Sequence, residues 1–284
     1  MNDRRVRIAV VGSVNLDIVA RVGNFPEPGE TITNAEVSRF PGGKGANQAL
    51  AAHRLGAEVY MAACVGDDTA AGEALRLLRE EGVNLDYCRT LPGHSTGLAL
   101  ITVSASGENQ IVVAPGANAA FHADLLRLPD VDAVIAQLEV PMDTVLKAAG
   151  SGGHFFCLNA APARPVPGDV LDRTDLLVVN EIEARAIGSG LEDYRGLLAT
   201  TYGGDGAVLS REGREIARAR SPRVDVVDTT GAGDAFTAAL SLGLVSAMEP
   251  QAALERACLV GALTTTRPGA STSPRLADLE ARSS

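Results

Sequence analysis

Short unbroken apolar runs recur along the chain, and most are followed by a segment of helical period. The first, Val6 with Ile8 to Val11, ends at Gly12 and has the length of a fully buried strand. Residues 14–42 break that texture with three prolines (Pro26, Pro28, Pro41), several glycines and β-prone pieces such as Thr31-Ile32-Thr33. Residues 45–55 then read as an alanine-rich helix stopped by Gly56, and 59–65 as a second buried strand. Residues 69–81 place Leu75 and Leu78 on one helical face and end at Gly82. Residues 98–103 and 110–113 flank a Ser/Gly/Asn-rich stretch and predict a hairpin with a longer loop. Further strands are expected at 134–138, 155–158, 176–179, 197–201, 207–209 and 215–217. Helices are expected at 141–149, with Pro141 in its first turn, after Gly233, and last from Pro250 to about Thr265.

Strands alternating with helices predict an α/β class with a mainly parallel sheet covered on both faces. The whole chain, 1–284, is read as one such domain. The β-only interruptions, about 14–42 and 97–114, fall outside the alternation and are expected to pair into a small accessory sheet.

Composition narrows the partners. Of 284 residues, 46% are apolar and 21% charged, which excludes disorder as the main state. A net charge of −10 argues against a nucleic-acid backbone or an anionic membrane as chief partner, though one local pocket can still oppose that field. Cys64, Cys88, Cys157 and Cys258 form no C-x-x-C pair and read as reduced thiols of a cytoplasmic protein. The opening apolar run is too short for a signal segment, and no stretch approaches membrane-spanning length. His53, His94, His122 and His154 lack zinc-ligand spacing.

Two motifs fail on context. Gly93-His94-Ser95-Thr96-Gly97 fits G-x-S-x-G, but Leu91-Pro92 before it and a strand after it deny Ser95 the strand-to-helix turn of a hydrolase. Gly43-Lys44 is followed by glycine, so the G-K-S/T phosphate loop is absent. Asp228-Thr229-Thr230-Gly231-Ala232-Gly233-Asp234, directly before a helical run, is more informative. Its small residues and the free N–H groups of a helix start make an anion cradle. Asp234 alone fits a dipole-stabilised acid of the first turn. Beside a phosphate cradle, the same carboxylate can take a hydroxyl proton while the amides of Gly231, Ala232 and Gly233 hold phosphoryl oxygens. Residues 41–49 join the first β interruption to a helix. There Gly42-Gly43 can hinge, and Lys44 and Asn47 offer donors; the plain alternative is a flexible loop with a solvated lysine. Asn15 and Asp17 follow the first strand, where open α/β sheets place ligands, and an amide beside a carboxylate suits a polyol.

Taken together, these segments resemble the PfkB carbohydrate and nucleoside kinase family. Gly42-Gly43-Lys44-Gly45-Ala46-Asn47 is similar to its first signature and residues 228–234 to its second, and further likeness at residues 12–17, 25–31, 107–109, 116–118, 137–139 and 159–164 extends it from Val6 to Ser273. The resemblance implies a doubly wound α/β fold with a β lid, formed by the two interruptions. It implies ATP-dependent phosphorylation of a sugar hydroxyl, foremost D-ribose to ribose 5-phosphate, with another sugar or a nucleoside as the alternative acceptor. A sugar-binding protein without catalysis is the remaining rival. The sugar would be held by Asn15, Asp17, Gly43, Lys44, Asn47 and Glu139, with Asp234 as general base. The nucleotide would lie at Asn180, Thr201, Gly203, Gly206, Gly233 and Cys258. Glu183, in Asn180-Glu181-Ile182-Glu183, would orient magnesium through water; read bottom-up, those four residues are a strand end and an acidic helical turn. Asp228, Thr230, Thr264, Arg267, Gly269 and Ser273 would form an activating potassium site, largely of carbonyls. A cytoplasmic homodimer paired through the lid is also implied.

Two departures stand out. Cys258 replaces the histidine or asparagine that the family tends to place beside adenine. Only twenty residues separate Asn180 from Thr201, room for one short helix over 181–187, so one sheet face there is expected to be less covered.

Overall fold

The computed structural model describes residues 4–283. Its strands are β1 (Arg7–Val11), β2 (Asn15–Arg21), β3 (Glu36–Gly42), β4 (Glu58–Gly66), β5 (Cys88–Leu91), β6 (Gly97–Val103) and β7 (Asn109–Ala114). They continue as β8 (Ala133–Gln137), β9 (Phe155–Asn159), β10 (Leu176–Asn180), β11 (Leu197–Thr201), β12 (Ala207–Arg211) and β13 (Arg214–Ala219). The helices are α1 (Lys44–Arg54), α2 (Thr69–Ala74), α3 (Arg76–Glu81), α4 (Met142–Ala149) and α5 (Gly168–Leu171). After them come α6 (Glu181–Ile187), α7 (Ala232–Val245), α8 (Pro250–Thr264) and α9 (Leu276–Ser283).

Among the described residues a nine-stranded sheet runs β13-β12-β11-β10-β9-β8-β1-β4-β5. It is parallel from β11 to β5, with β12 and β13 added antiparallel at one edge. Alternation along β1 divides the core. Ile8 and Val10 pack with Leu50 of α1, Leu240 of α7 and Leu254 of α8, whereas Ala9 and Val11 face Val145 of α4 and Val170 of α5. Strand order reverses around β1, between β8 and β4, which opens a crevice at the carboxyl ends of these strands.

The two β interruptions pair as expected into a second sheet, β3-β2-β6-β7. Chain connectivity carries it directly out of the crevice, because β1 leads to β2 through Gly12-Ser13-Val14 and β3 leads to α1 through Gly43. Thr31-Ile32-Thr33 forms no strand and lies in the connection between β2 and β3, outside this sheet. Residues 69–81 form two helices rather than one. The chain turns at Leu75 (ψ −4°), and Leu75 and Leu78 both enter the core. The helix from Pro250 is not the last, for α9 follows and buries Leu279.

Between β10 and β11 the short crossover holds α6 and a 3-10 turn (Gly188–Leu191). Tyr194 fills the remaining gap, buried with its hydroxyl 3.0 Å from Thr174 O. Farther out, Leu198 and Val208 stay half-exposed and Ile216 is 43% exposed, so this edge of the sheet is thinly covered.

Candidate active site

Asp234 lies in the first turn of α7, behind a turn that only glycine fits. Gly231 caps the helix with φ 78°, and a Cβ there would overlap Ala270 O. Asp234 is buried, and its two carboxylate oxygens accept from different amides. Asn47 Nδ2 donates to Oδ2 at 3.0 Å, and Gln48 Nε2 donates to Oδ1 at 3.1 Å. Burial pushes the Asp234 carboxyl above its ordinary range, opposed by Lys44 and the two amides and reinforced by Glu139.

The crevice supplies the opposing wall. Gly43 caps α1 at φ 90°, where a Cβ would overlap Asn15 N, so the start of the helix that carries Lys44 and Asn47 comes close to the start of β2. Asn15 and Asp17 are both buried on β2. Asp17 is pushed up to about 7, first by burial and then by Glu139 and Asp234. Glu139 accepts from Ser13 Oγ and from Lys44 N at 3.2 Å. The Lys44 ammonium is held above its usual range, chiefly by Asp234 against the cost of burial, with Glu139 and Glu183 assisting. One lysine thus faces several carboxylates, a site able to receive hydroxyls on one side and phosphate charge on the other.

Two cavities flank the Gly231–Gly233 turn. One, of about 300 Å³, lies under the small sheet and is lined by Asp17, Phe40, Ile101, Asp228 and Gly269 among others. The other, of about 570 Å³, brings together Thr201, Gly203, Gly206, Gly233, Phe236 and Cys258. Val226 and Thr229 line both. Its Cys258 end is apolar, and burial pushes that thiol up to about 11.

Asn180 and Glu183 lie outside both cavity linings and form a capping box on α6. Asn180 Oδ1 accepts from the amides of Ile182 and Glu183 at 2.9 Å, and Glu183 Oε2 accepts from Asn180 N at 2.8 Å. Glu183 is buried, and burial raises its carboxyl despite the Asn180 amide and Lys44.

Asp228 knots the loop beyond α8 to the cradle. Its Oδ1 accepts from Thr230 N and Oγ1, and its Oδ2 from Gly269 N at 2.8 Å. Burial works against its charge, but these donors outweigh it and hold Asp228 low. The Thr272 hydroxyl lies 2.8 Å from Thr264 O and 3.0 Å from Gly269 O, while Ser273 O accepts from Arg54 Nη1 at 2.9 Å.

Sequence reasoning passed over three buried amides as site residues. Asn118, in a 3-10 turn, donates to Asn15 Oδ1 at 2.8 Å and accepts from Val14 N. Gln48 and Gln137 lie behind Asp234. Ser95 sits in a loop between β5 and β6, without the turn a hydrolase serine needs.

Comparison with known proteins gives one family. Its profile, described as pfkB family carbohydrate kinase, matches residues 6–276. The chain is 39% identical over 261 residues to a ribokinase of Bacillus subtilis, covering 87% of this chain and 88% of that protein. A Thermotoga maritima ribokinase crystal structure superposes with a TM-score of 0.90 at 30% identity, covering 97% of this chain and 98% of that one. An Arabidopsis thaliana ribokinase complexed with ribose and ATP gives 0.87 at 28% identity, covering 98% of each.

Proposed function

The chain belongs to the pfkB family of carbohydrate kinases, and from that premise we propose that it transfers the γ-phosphoryl group of ATP to D-ribose, giving ribose 5-phosphate. The observation that carries this reading is the seat of Asp234: a buried carboxylate held by neutral amides, next to the turn that two cavities flank. The smaller cavity, with Asp17 in its lining, suits a pentose. Asn15, Gly43, Lys44, Asn47 and Glu139, from the crevice wall rather than the cavity lining, would join Asp17 as hydroxyl partners, and the small sheet acts as a lid that excludes water. The larger suits ATP, with Thr201, Gly203, Gly206 and Gly233 at the phosphates, Asn180 beside them and Cys258 at the base.

Asp234 takes the proton of the attacking hydroxyl. Lys44 and the amides of the 231–233 turn hold the transferred phosphoryl oxygens. Within that turn Ala232 N already bonds Thr229 O at 3.3 Å, which assigns most of this task to Gly231 and Gly233.

Among the described residues no cluster of three or more His, Cys, Asp or Glu could hold a metal. The buried Glu183 carboxylate, near Lys44 and Asp234, would suit a magnesium ion that arrives with ATP and keeps its waters. Bound there, magnesium neutralises phosphate charge. The Asp228 carboxylate and the carbonyls of Thr264 and Gly269 make an oxygen-rich loop suited to potassium, with Thr230, Arg267 and Ser273 completing it. Potassium is expected to raise activity over sodium at fixed ionic strength, and indifference between the two would remove that site.

Val37, Leu100 and Val112 share the outer lid face at 62%, 48% and 66% exposure, and a second copy covering them would make a homodimer. Four free thiols support a cytoplasmic setting. Among the described residues no helix is long and apolar enough to cross a membrane. A coupled ADP-release screen over ribose, deoxyribose, fructose and adenosine tests the acceptor. Strong turnover with ribose is expected; turnover with adenosine and none with ribose would sink the assignment, and no turnover with any acceptor would favour a binding protein.

A further inference from the structure

Behind Asp234 lies a chain of neutral amides drawn from three elements. Gln48 on α1 and Gln137 at the end of β8 are wholly buried. Gln48 Nε2 donates to Asp234 Oδ1 at 3.1 Å and to Asn159 Oδ1 at 3.2 Å, so both amide hydrogens are used. Gln48 Oε1 accepts from Gln137 Nε2 at 2.6 Å. That last bond fixes the direction of the whole chain. A reversed Gln48 would set its NH₂ against that of Gln137 and its carbonyl against the carboxylate. Gln137 Oε1 has no partner among the described residues and lies against Gly12, where a Cβ would overlap it. A buried acceptor left unpaired is a standing cost, one that an amide serving packing alone would not need.

We propose that Gln48 and Gln137 are positioning residues for the reaction, an amide relay that locks the Asp234 carboxylate in one orientation as an acceptor. The proposal rests on Asp234 being the base. With Asn47 on Oδ2 and Gln48 on Oδ1, the carboxylate cannot rotate, and its remaining lone pairs are left for the incoming hydroxyl. The charged groups that face Asp234 are Lys44 from the start of α1, Glu139 after β8, Asp17 on β2 and Glu183 on α6. None of them replaces the Gln48 donor, because none bonds Oδ1.

Gln48→Met and Gln137→Met keep length and apolar volume while removing the donors. For Gln48→Met, kcat is expected to fall about ten-fold with both KM values within about three-fold. Losing a donor to the anionic form also raises the carboxyl pKa, so the acid limb of kcat should move up by about one pH unit. Gln137→Met should shift in the same direction by less, and it carries the test if Gln48→Met does not fold. A titration of ¹³C-carboxyl-labelled aspartate, with Asp234 assigned by its loss in Asp234→Asn, reads the same shift without turnover. It therefore stands apart from the choice of acceptor: a wild-type protein inactive on ribose counts against the kinase reading only. An unmoved Asp234 titration in folded variants, or a lowered melting temperature with an unmoved pH profile, overturns the relay.

Discussion

Asp234→Asn is expected to lower turnover by about 10²–10⁴-fold while D-ribose affinity stays within an order of magnitude. The substitution keeps shape and one acceptor but cannot take the hydroxyl proton. It also turns an NH₂ toward either Asn47 Nδ2 or Gln48 Nε2, both of which donate to the carboxylate. Calorimetric titration with ribose separates the two effects, since ribose should still bind through Asn15, Asp17 and Glu139. Near-normal turnover would mean that Asp234 serves only as a first-turn acid on the α7 dipole.

Gly231→Ala should lose activity for a different reason. The residue sits at φ 78°, where a side chain costs about 1 kcal/mol or more, and its Cβ would overlap the backbone oxygen of Ala270. Backbone cannot yield as a flexible side chain can, so the turn or the 269–271 loop must move by about 1 Å. A displacement of that size at a reacting centre costs about 10²-fold in kcat. Gly233→Ala is the control. A Cβ at Gly233 meets no atom within 4 Å, and Gly233 itself lines the larger cavity. That variant should melt near the wild type while its KM for ATP rises. Equal melting temperatures and equal kcat for Gly231→Ala and wild type would contradict the cradle.

Much of this architecture is legible in the sequence because its signals are local. Strands β1, β4 and β8 to β10 are short apolar runs buried on both faces, and β2, β3, β6 and β7 declare themselves by lacking a helical period. The glycine turns before α1 and α7 show because only that residue fits them. What stays hidden depends on contacts between distant segments. Gln48 and Gln137 look like ordinary polar residues, and only the closing of α1 on α7 and β8 makes them partners of Asp234. Asn118 is 103 positions from the Asn15 it orients. Helix α9 has too few apolar residues for a clear period and is recognised by where Leu279 packs. Thr31-Ile32-Thr33 errs the other way: its propensity is real, but a strand needs a paired neighbour, and this piece lies unpaired between β2 and β3.

The central claim is that this site places the ATP phosphoryl group on the primary hydroxyl of ribose. A phosphorus NMR spectrum of protein, D-ribose, ATP, magnesium and potassium, taken as the reaction proceeds, tests it most directly. The new phosphomonoester resonance should grow in step with ADP and split as a triplet, from the two protons on carbon 5. A doublet would place the phosphate on a carbon that carries a single proton rather than on carbon 5, and a singlet of inorganic phosphate would mean transfer to water. Either result would contradict the geometry assigned to Asp234 and the lid.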